Sequence, residues 1–215
     1  MAFTELQKDI LVGLLLGDGN LEFDGYKSSR LQIKQAESKK EYVLWLFDRF
    51  KETVRTPPKQ RLDTMQWYFG TRSTPDFEYF RTIFYQNRRK IVPRTIGELF
   101  RSPITLAVWY MDDGGLDYRL KSHYSFTLST DAFRIEEVRL LQNVLKKRFN
   151  IQSSIQTPSS RGTKYVKLYI GKDGRDRFLE TIQPHILSCF LYKLPRNHQL
   201  DPSETDRANS ILSVR

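Results

Sequence analysis

The chain has 215 residues, with 35 Lys and Arg against 25 Asp and Glu, a formal net charge of +10, and 39% hydrophobic residues. That composition provides an ordinary core and excludes a disordered chain, while the charge favours a polyanionic partner, with nucleic acid ahead of an anionic membrane surface. A single cysteine, Cys189, excludes an internal disulfide and fits a reducing, intracellular setting. The apolar run 10–16 is too short to span a bilayer, and the first residues lack the basic start and long apolar core of a signal peptide.

Taken in chain order, Thr4-Glu5-Leu6-Gln7 has the form of a capping box and predicts a helix over 5–17. Residues 10–16 are apolar on every side, so this helix must be buried. It ends in Gly17-Asp18-Gly19. Residues 30–34 alternate as a half-buried strand, with Leu31 and Ile33 inward and Arg30, Gln32 and Lys34 outward. A helix is expected over 39–50, then strands over 54–62 and 64–69. The second of these turns Met65, Trp67 and Phe69 to the core and leaves Gln66 and Tyr68 outside. A helix over 76–85 and the segment Lys90-Ile91-Val92-Pro93-Arg94 follow.

The pattern then restarts. Ser102 is an N-cap candidate with Pro103 at the first helical position, and the apolar run from Leu106 to Met111 leads into Asp112-Asp113-Gly114-Gly115. A strand over 123–129 directs Tyr124, Phe126 and Leu128 inward and His123, Ser125 and Thr127 outward. After a helix over 135–146 come strands over 151–157 and 165–170, with Val166, Leu168 and Ile170 inward and Ser154, Gln156, Tyr165, Lys167 and Tyr169 outward. A helix over 175–187 precedes Lys193-Leu194-Pro195-Arg196, and residues 201–215 are a polar tail. The outward polar strand residues either read base edges or face water. Arg61, Lys121, Arg161 and Lys164 in the hairpin loops are candidate phosphate contacts. His123, His185 and His198 are scattered and form neither a catalytic triad nor a zinc set.

Helix, two strands, helix, two strands, helix therefore occurs twice, with Asp18 and Asp113 95 positions apart. The expected fold is α+β: tandem αββαββα repeats over 1–98 and 99–200, related by a pseudo-two-fold axis, followed by the tail. One carboxylate from each repeat points to divalent metal. With the recurrent lysine ahead of proline and the variant Trp109-Tyr110-Met111-Asp112-Asp113-Gly114-Gly115, the chain resembles the single-chain, two-motif LAGLIDADG homing endonucleases of the intron-encoded branch, over about residues 5–197.

That resemblance implies two motif helices side by side and two antiparallel sheets saddling double-stranded DNA. It implies Asp18 and Asp113 as ligands of Mg²⁺, with Mn²⁺ as a substitute, and a monomer acting in a DNA-containing compartment, organelle or prokaryotic cytoplasm, in support of intron mobility. Asp112 aligns with Gly17, and stands either as a supporting residue or, with Gly17, as a further ligand. Lys90 and Lys193 match basic residues near the active site, and Gln35 and Thr130 match polar residues that hold waters. Assistance to splicing by binding host intron RNA is the alternative function. The motifs also differ: Gly13 and Gly17 correspond to Val108 and Asp112, so the helix interface should be asymmetric and the two DNA strands should be cut at unequal rates.

Overall fold

The structure is a computed structural model that describes residues 2–196 apart from 24, 27, 120–122 and 161. The first part of the chain runs α1 (Glu5–Leu16), β1 (Asn20–Phe23), β2 (Ser29–Gln35), α2 (Lys40–Phe50), β3 (Lys59–Gln60), β4 (Trp67–Gly70) and α3 (Pro75–Phe84). A small hairpin of β5 (Tyr85–Gln86) and β6 (Arg89–Lys90) and the single turn α4 (Ile96–Leu99) lead to α5 (Pro103–Asp113). Then come β7 (Gly114–Arg119), β8 (His123–Ser129), α6 (Ile135–Phe149), β9 (Ser154–Gln156), a hairpin of β10 (Ser159–Ser160) and β11 (Thr163–Lys164), β12 (Lys167–Ile170) and α7 (Arg175–Ile182). Two antiparallel four-stranded sheets result, ordered β1-β2-β4-β3 and β7-β8-β12-β9, so the same topology is built twice.

The local signals act as expected at the helix starts. Thr4 Oγ1 accepts from Gln7 N at 3.2 Å while Gln7 Oε1 accepts from Thr4 N at 2.9 Å, which satisfies two amides the first turn would otherwise leave open. Ser102 caps α5 through Ile104 N, with Pro103 in the first turn. Residues 10–16 of α1 and 104–111 of α5 are all buried. The two helices pack in parallel: Thr105 Oγ1 donates to Asp9 O at 2.9 Å, Gly13 lies against Val108, and Gly17 lies against Asp112. A Cβ at Gly13 would stand 2.7 Å from Thr105 O and 2.8 Å from Val108 Cβ, and one at Gly17 would stand 2.5 Å from Asp112 Cβ. The glycines of motif one thus accept the bulk of motif two, and the interface is asymmetric in composition.

The strands differ from expectation mainly in extent. In place of a strand over 54–62 there are β3 and a lone bridge between Val54 and Thr71. The strand expected over 64–69 begins only at Trp67, because Met65 takes a left-handed φ of 55° in a turn and is 45% exposed rather than in the core. Trp67 is half-buried and packs on the core edge. The strand expected over 151–157 shortens to β9, that over 165–170 starts at Lys167, and β10 and β11 form between them. The last helix stops at Ile182 and continues as a 3₁₀ turn through Pro184, a residue that cannot supply the next helical amide. Strands β1 and β7, which carry no clear alternation, leave the motif helices directly and make the first rung of each sheet.

Gly13→Ala should cost about 1–3 kcal/mol, the usual penalty for forcing volume into a packed interface. Urea unfolding reads it, and an unchanged midpoint would contradict the close approach.

Candidate active site

Both motif helices deliver an acid at the point where helix becomes sheet. α1 closes on Gly17, Asp18 follows, and β1 begins at Asn20; Asp113 ends α5 and β7 begins at Gly114. Because the helices run parallel in register, their C-termini meet, and both carry the negative end of a helix dipole. Carboxylates at that end are unfavourable unless cations offset them.

Two lysines do so. Lys90 Nζ donates to Gly17 O at 2.5 Å, and Lys193 Nζ donates to Met111 O at 2.6 Å and Tyr110 O at 3.2 Å. Each caps the C-terminus of the motif helix in its own repeat. Neither is a surface lysine closing a helix: Lys193 is buried and Lys90 half-buried. Burial is the main force on both ammonium groups, lowering Lys193 to about 8 and Lys90 in the same direction against the pull of the nearby aspartates.

The carboxylates themselves are not equivalent. Asp18 is exposed and accepts from Gln35 Nε2 at 3.2 Å, so β2 holds it from the sheet end. Asp113 is half-buried, and burial followed by the charge of Asp18 raises its pKa to about 6, with Lys90 and Lys193 opposing the rise. It lines a pocket of about 350 Å³ with Gly17, Lys90, Ser129, Thr130 and Asp131.

Thr130 occupies the strand end matching Gln35, but it does not offer a free hydroxyl. It is buried and its Oγ1 donates to Val166 O at 2.6 Å, a bond that extends the β8–β12 pairing.

Asp112 Oδ2 accepts from Asp18 N at 3.1 Å, and its Oδ1 is buried without a hydrogen bond of ordinary geometry, its polar neighbour being the buried Tyr42 hydroxyl. Burial first, then the Asp18 charge, raises Asp112 well above the usual carboxylate range. One oxygen of Asp112 thus holds the Asp18 backbone and the carbonyl of Gly17 accepts from Lys90, while Asp18 is exposed and Asp113 lines the pocket. The donor chemistry fits a hard divalent ion, since two oxygen ligands can be completed by substrate oxygens and water, and a cation there would relieve the repulsion seen at Asp113. Among the described residues no three His, Cys, Asp or Glu side chains converge as a self-sufficient metal site.

The sheets present the outward residues expected of them, with exceptions. Arg30, Lys34 and Tyr68 are exposed, Gln32 is half-buried, and Gln66 lies just before β4. Lys34, Tyr68 and Lys59 form one row across the first sheet, which adds Lys59, a residue the alternation of the chain does not single out. Arg30 is held by Glu22 at 2.6 Å, Gln32 donates to the same carboxylate at 3.1 Å, and Arg61 pairs with Asp63 at 3.1 Å.

On the second sheet Thr127, Tyr169 and Ser154 form a row, Lys167 pairs with Gln156, and His123 and Tyr165 are half-exposed. Ser125 is a correction: it is 1% exposed, because a side chain that short sits below the flanking His123 and Thr127 on its strand. Tyr124, expected in the core, is half-buried and reaches Asp176 with its hydroxyl. Lys121, Arg161, His198 and the tail lie outside the described residues, as does the side chain of Lys164. No helix among the described residues is long and apolar enough to cross a membrane. Cys189 is half-buried, and its thiol is pushed up to about 12 by burial.

Residues 8–178 match the model of the LAGLIDADG DNA endonuclease family. The chain belongs to that family. It is 28% identical over 214 residues to DNA endonuclease I-ChuI of Chlamydomonas applanata, covering 90% of this chain and 96% of that one. It is 28% identical to cytochrome b mRNA maturase bI2 of Debaryomyces hansenii, covering 86% and 72%. Among solved structures, the homing endonuclease I-WcaI bound to its DNA recognition sequence superposes with a TM-score of 0.78 at 27% identity, covering 90% of this chain and 88% of that one.

With metal absent, the Asp113 carboxyl should titrate near 6 and fall when Mg²⁺ is added, since the cation favours the ionised form. Carboxyl ¹³C NMR measures this, and a midpoint at the ordinary 3.8 in both states would remove the burial argument.

Proposed function

We propose that this LAGLIDADG protein is a site-specific, metal-dependent double-strand DNA endonuclease in which Asp18 and Asp113 each contribute a carboxylate to the bound divalent cations. The observation that supports this best is the meeting of the two motif-helix C-termini, which brings one acid from each repeat to the junction of two polar sheets. Mg²⁺ is the natural ion and Mn²⁺ its substitute. When bound, such ions activate water, neutralise charge on the phosphate and stabilise the leaving 3′ oxygen. The chain's own residues do the positioning. Gln35 orients Asp18, Asp112 fixes the Asp18 backbone, and Lys90 and Lys193 supply positive charge beside the scissile phosphate.

The repeats correspond to residues 1–98 and 99–200, and the protein acts as a monomer in a DNA-containing compartment, where cutting an uninterrupted target supports intron mobility. The outward rows of the two sheets read the target: Arg30, Gln32, Gln66, Tyr68, Thr127 and Gln156 at base edges, Lys34, Lys59 and Lys167 at phosphates. Arg30 must exchange Glu22 for DNA, so its contribution depends on a competition between carboxylate and base. A second reading, assistance to intron splicing, is favoured by the maturase relative alone. Splicing stimulation that survives replacement of both aspartates would select it.

Wild-type protein with Mg²⁺ and a plasmid bearing a site selected from a randomised library should give linear product, whereas Asp18→Asn and Asp113→Asn each abolish linearisation. Efficient double-strand cutting by both variants would refute the site. Because the two acids sit in unlike surroundings, the wild type should accumulate nicked plasmid before linear, and a time course with no nicked species would contradict unequal strand rates. Lys34→Ala and Lys167→Ala should each reduce the salt dependence of DNA binding by about one unit of slope without altering the preferred site. A changed preference with an unchanged slope would place these lysines at bases.

A further inference from the structure

Each Lys-Pro segment is anchored twice, and the two anchors lie in different repeats. The side chain of Lys90 ends on α1, in its own repeat, yet its neighbours are held by the other: the backbone Val92 N donates to Glu137 Oε1 at 3.2 Å, and the side chain of Arg89 donates through Nη2 to Ala132 O at 2.8 Å. Lys193 ends on α5, while the turn leading to it is held by α2: Ser188 N and Cys189 N donate to the two oxygens of Glu41 at 3.2 and 2.9 Å, and Ser188 Oγ adds a third bond at 2.5 Å. Lys39 closes the same joint, donating to Cys189 O at 2.8 Å with its ammonium 3.9 Å from the centre of the Phe190 ring.

The two glutamates are counterparts. Each sits in the first turn of the long helix that follows the motif strands, each is half-buried, and each accepts from the backbone of the opposite repeat, Glu41 from two amides and Glu137 from one. A first-turn carboxylate is favoured by the helix dipole, and bonds from amides to a carboxylate are of the stronger, charge-assisted kind. Glu137 also accepts from Arg134 N at 2.5 Å, which fixes its rotamer. Neither glutamate belongs to the Asp-Gly motifs.

We propose that Glu41 and Glu137 are reciprocal positioning residues: each holds, through the backbone, the active-site lysine supplied by the other repeat. Glu137 serves Lys90 and Glu41 serves Lys193. The arrangement makes the two halves mutually dependent, because moving one repeat away from the other withdraws a lysine from each helix end. The link to cleavage rests on the endonuclease reading above; the docking itself does not.

Two measurements separate these. In Glu137→Ala, hydrogen-exchange mass spectrometry should show faster exchange in peptides spanning 86–93 and unchanged exchange over 188–193, with Glu41→Ala giving the opposite pattern. The Gln variants, which retain one carbonyl acceptor, should restore much of the protection and guard against simple misfolding. Plasmid cleavage then tests the catalytic link. Each Ala variant should slow cutting about tenfold, the effect of losing a charged hydrogen bond. Glu137→Ala should add nothing to Lys90→Met but act in full on Lys193→Met, and Glu41→Ala should behave conversely. Wild-type exchange in both Ala variants would overturn the docking. Additive effects in the matched pairs would reduce the glutamates to structural residues and overturn their positioning role. Cutting indifferent to Lys90→Met and Lys193→Met would instead remove the catalytic reading of the lysines, and the positioning role with it, while leaving the exchange result standing.

Discussion

The close approach of α1 and α5 is the constraint from which the rest follows. Two helices can bring their backbones this near only where one of them lacks side chains, and Gly13 and Gly17 provide that against Val108, Thr105 and Asp112. Running in parallel, the helices must end together, so two negative dipole ends and two carboxylates share one small region. Such a concentration of negative charge is tolerable only with cations at hand. Lys90 and Lys193 fulfil part of that need from within the chain, opposing a rise in the Asp113 pKa that burial causes first and the charge of Asp18 second.

The same contact also breaks the symmetry of the duplication. The carboxylate at Asp112 fits because its counterpart is Gly17, and once there it grips the Asp18 amide. Asp18 is consequently fixed through its backbone and through Gln35, while Asp113 sits in a pocket whose equivalent polar residue, Thr130, is turned into the sheet. One site is open and braced, the other enclosed and repelled. Two halves built on one pattern therefore differ in the solvation of their acids.

Around this centre both sheets carry cations already engaged by acids, Arg30 with Glu22 and Arg61 with Asp63 at the first and Arg119 with Asp117 on the second. Exposed pairs of this kind stabilise the free protein by only about 0–1 kcal/mol, so DNA can displace them, but the exchange makes binding depend on what replaces the lost carboxylate.

The capping box at Thr4, the apolar runs into Asp18 and Asp113, and the alternation of residues 30–34 and 123–129 were legible in the chain because each is a local pattern with a physical period or a fixed hydrogen-bond geometry. They determined the helices, the central strands, the repeat and the pair of acids. Local pattern did not reach Met65, whose backbone turns left-handed, or Ser125, whose burial depends on taller neighbours. Nor could it show that Thr130 is spent on Val166 or that Tyr42 lies beside Asp112. Glu41 and Glu137 read as ordinary first-turn acids, and only the packing of one repeat on the other gives them amides to hold. The sequence by itself determined which residue types recur and at what spacing, since those are properties of the chain. Which acid is open, which is buried, and what each lysine leans on were decided by tertiary structure, because solvation and charge at a site depend on groups brought there from more than 70 positions away.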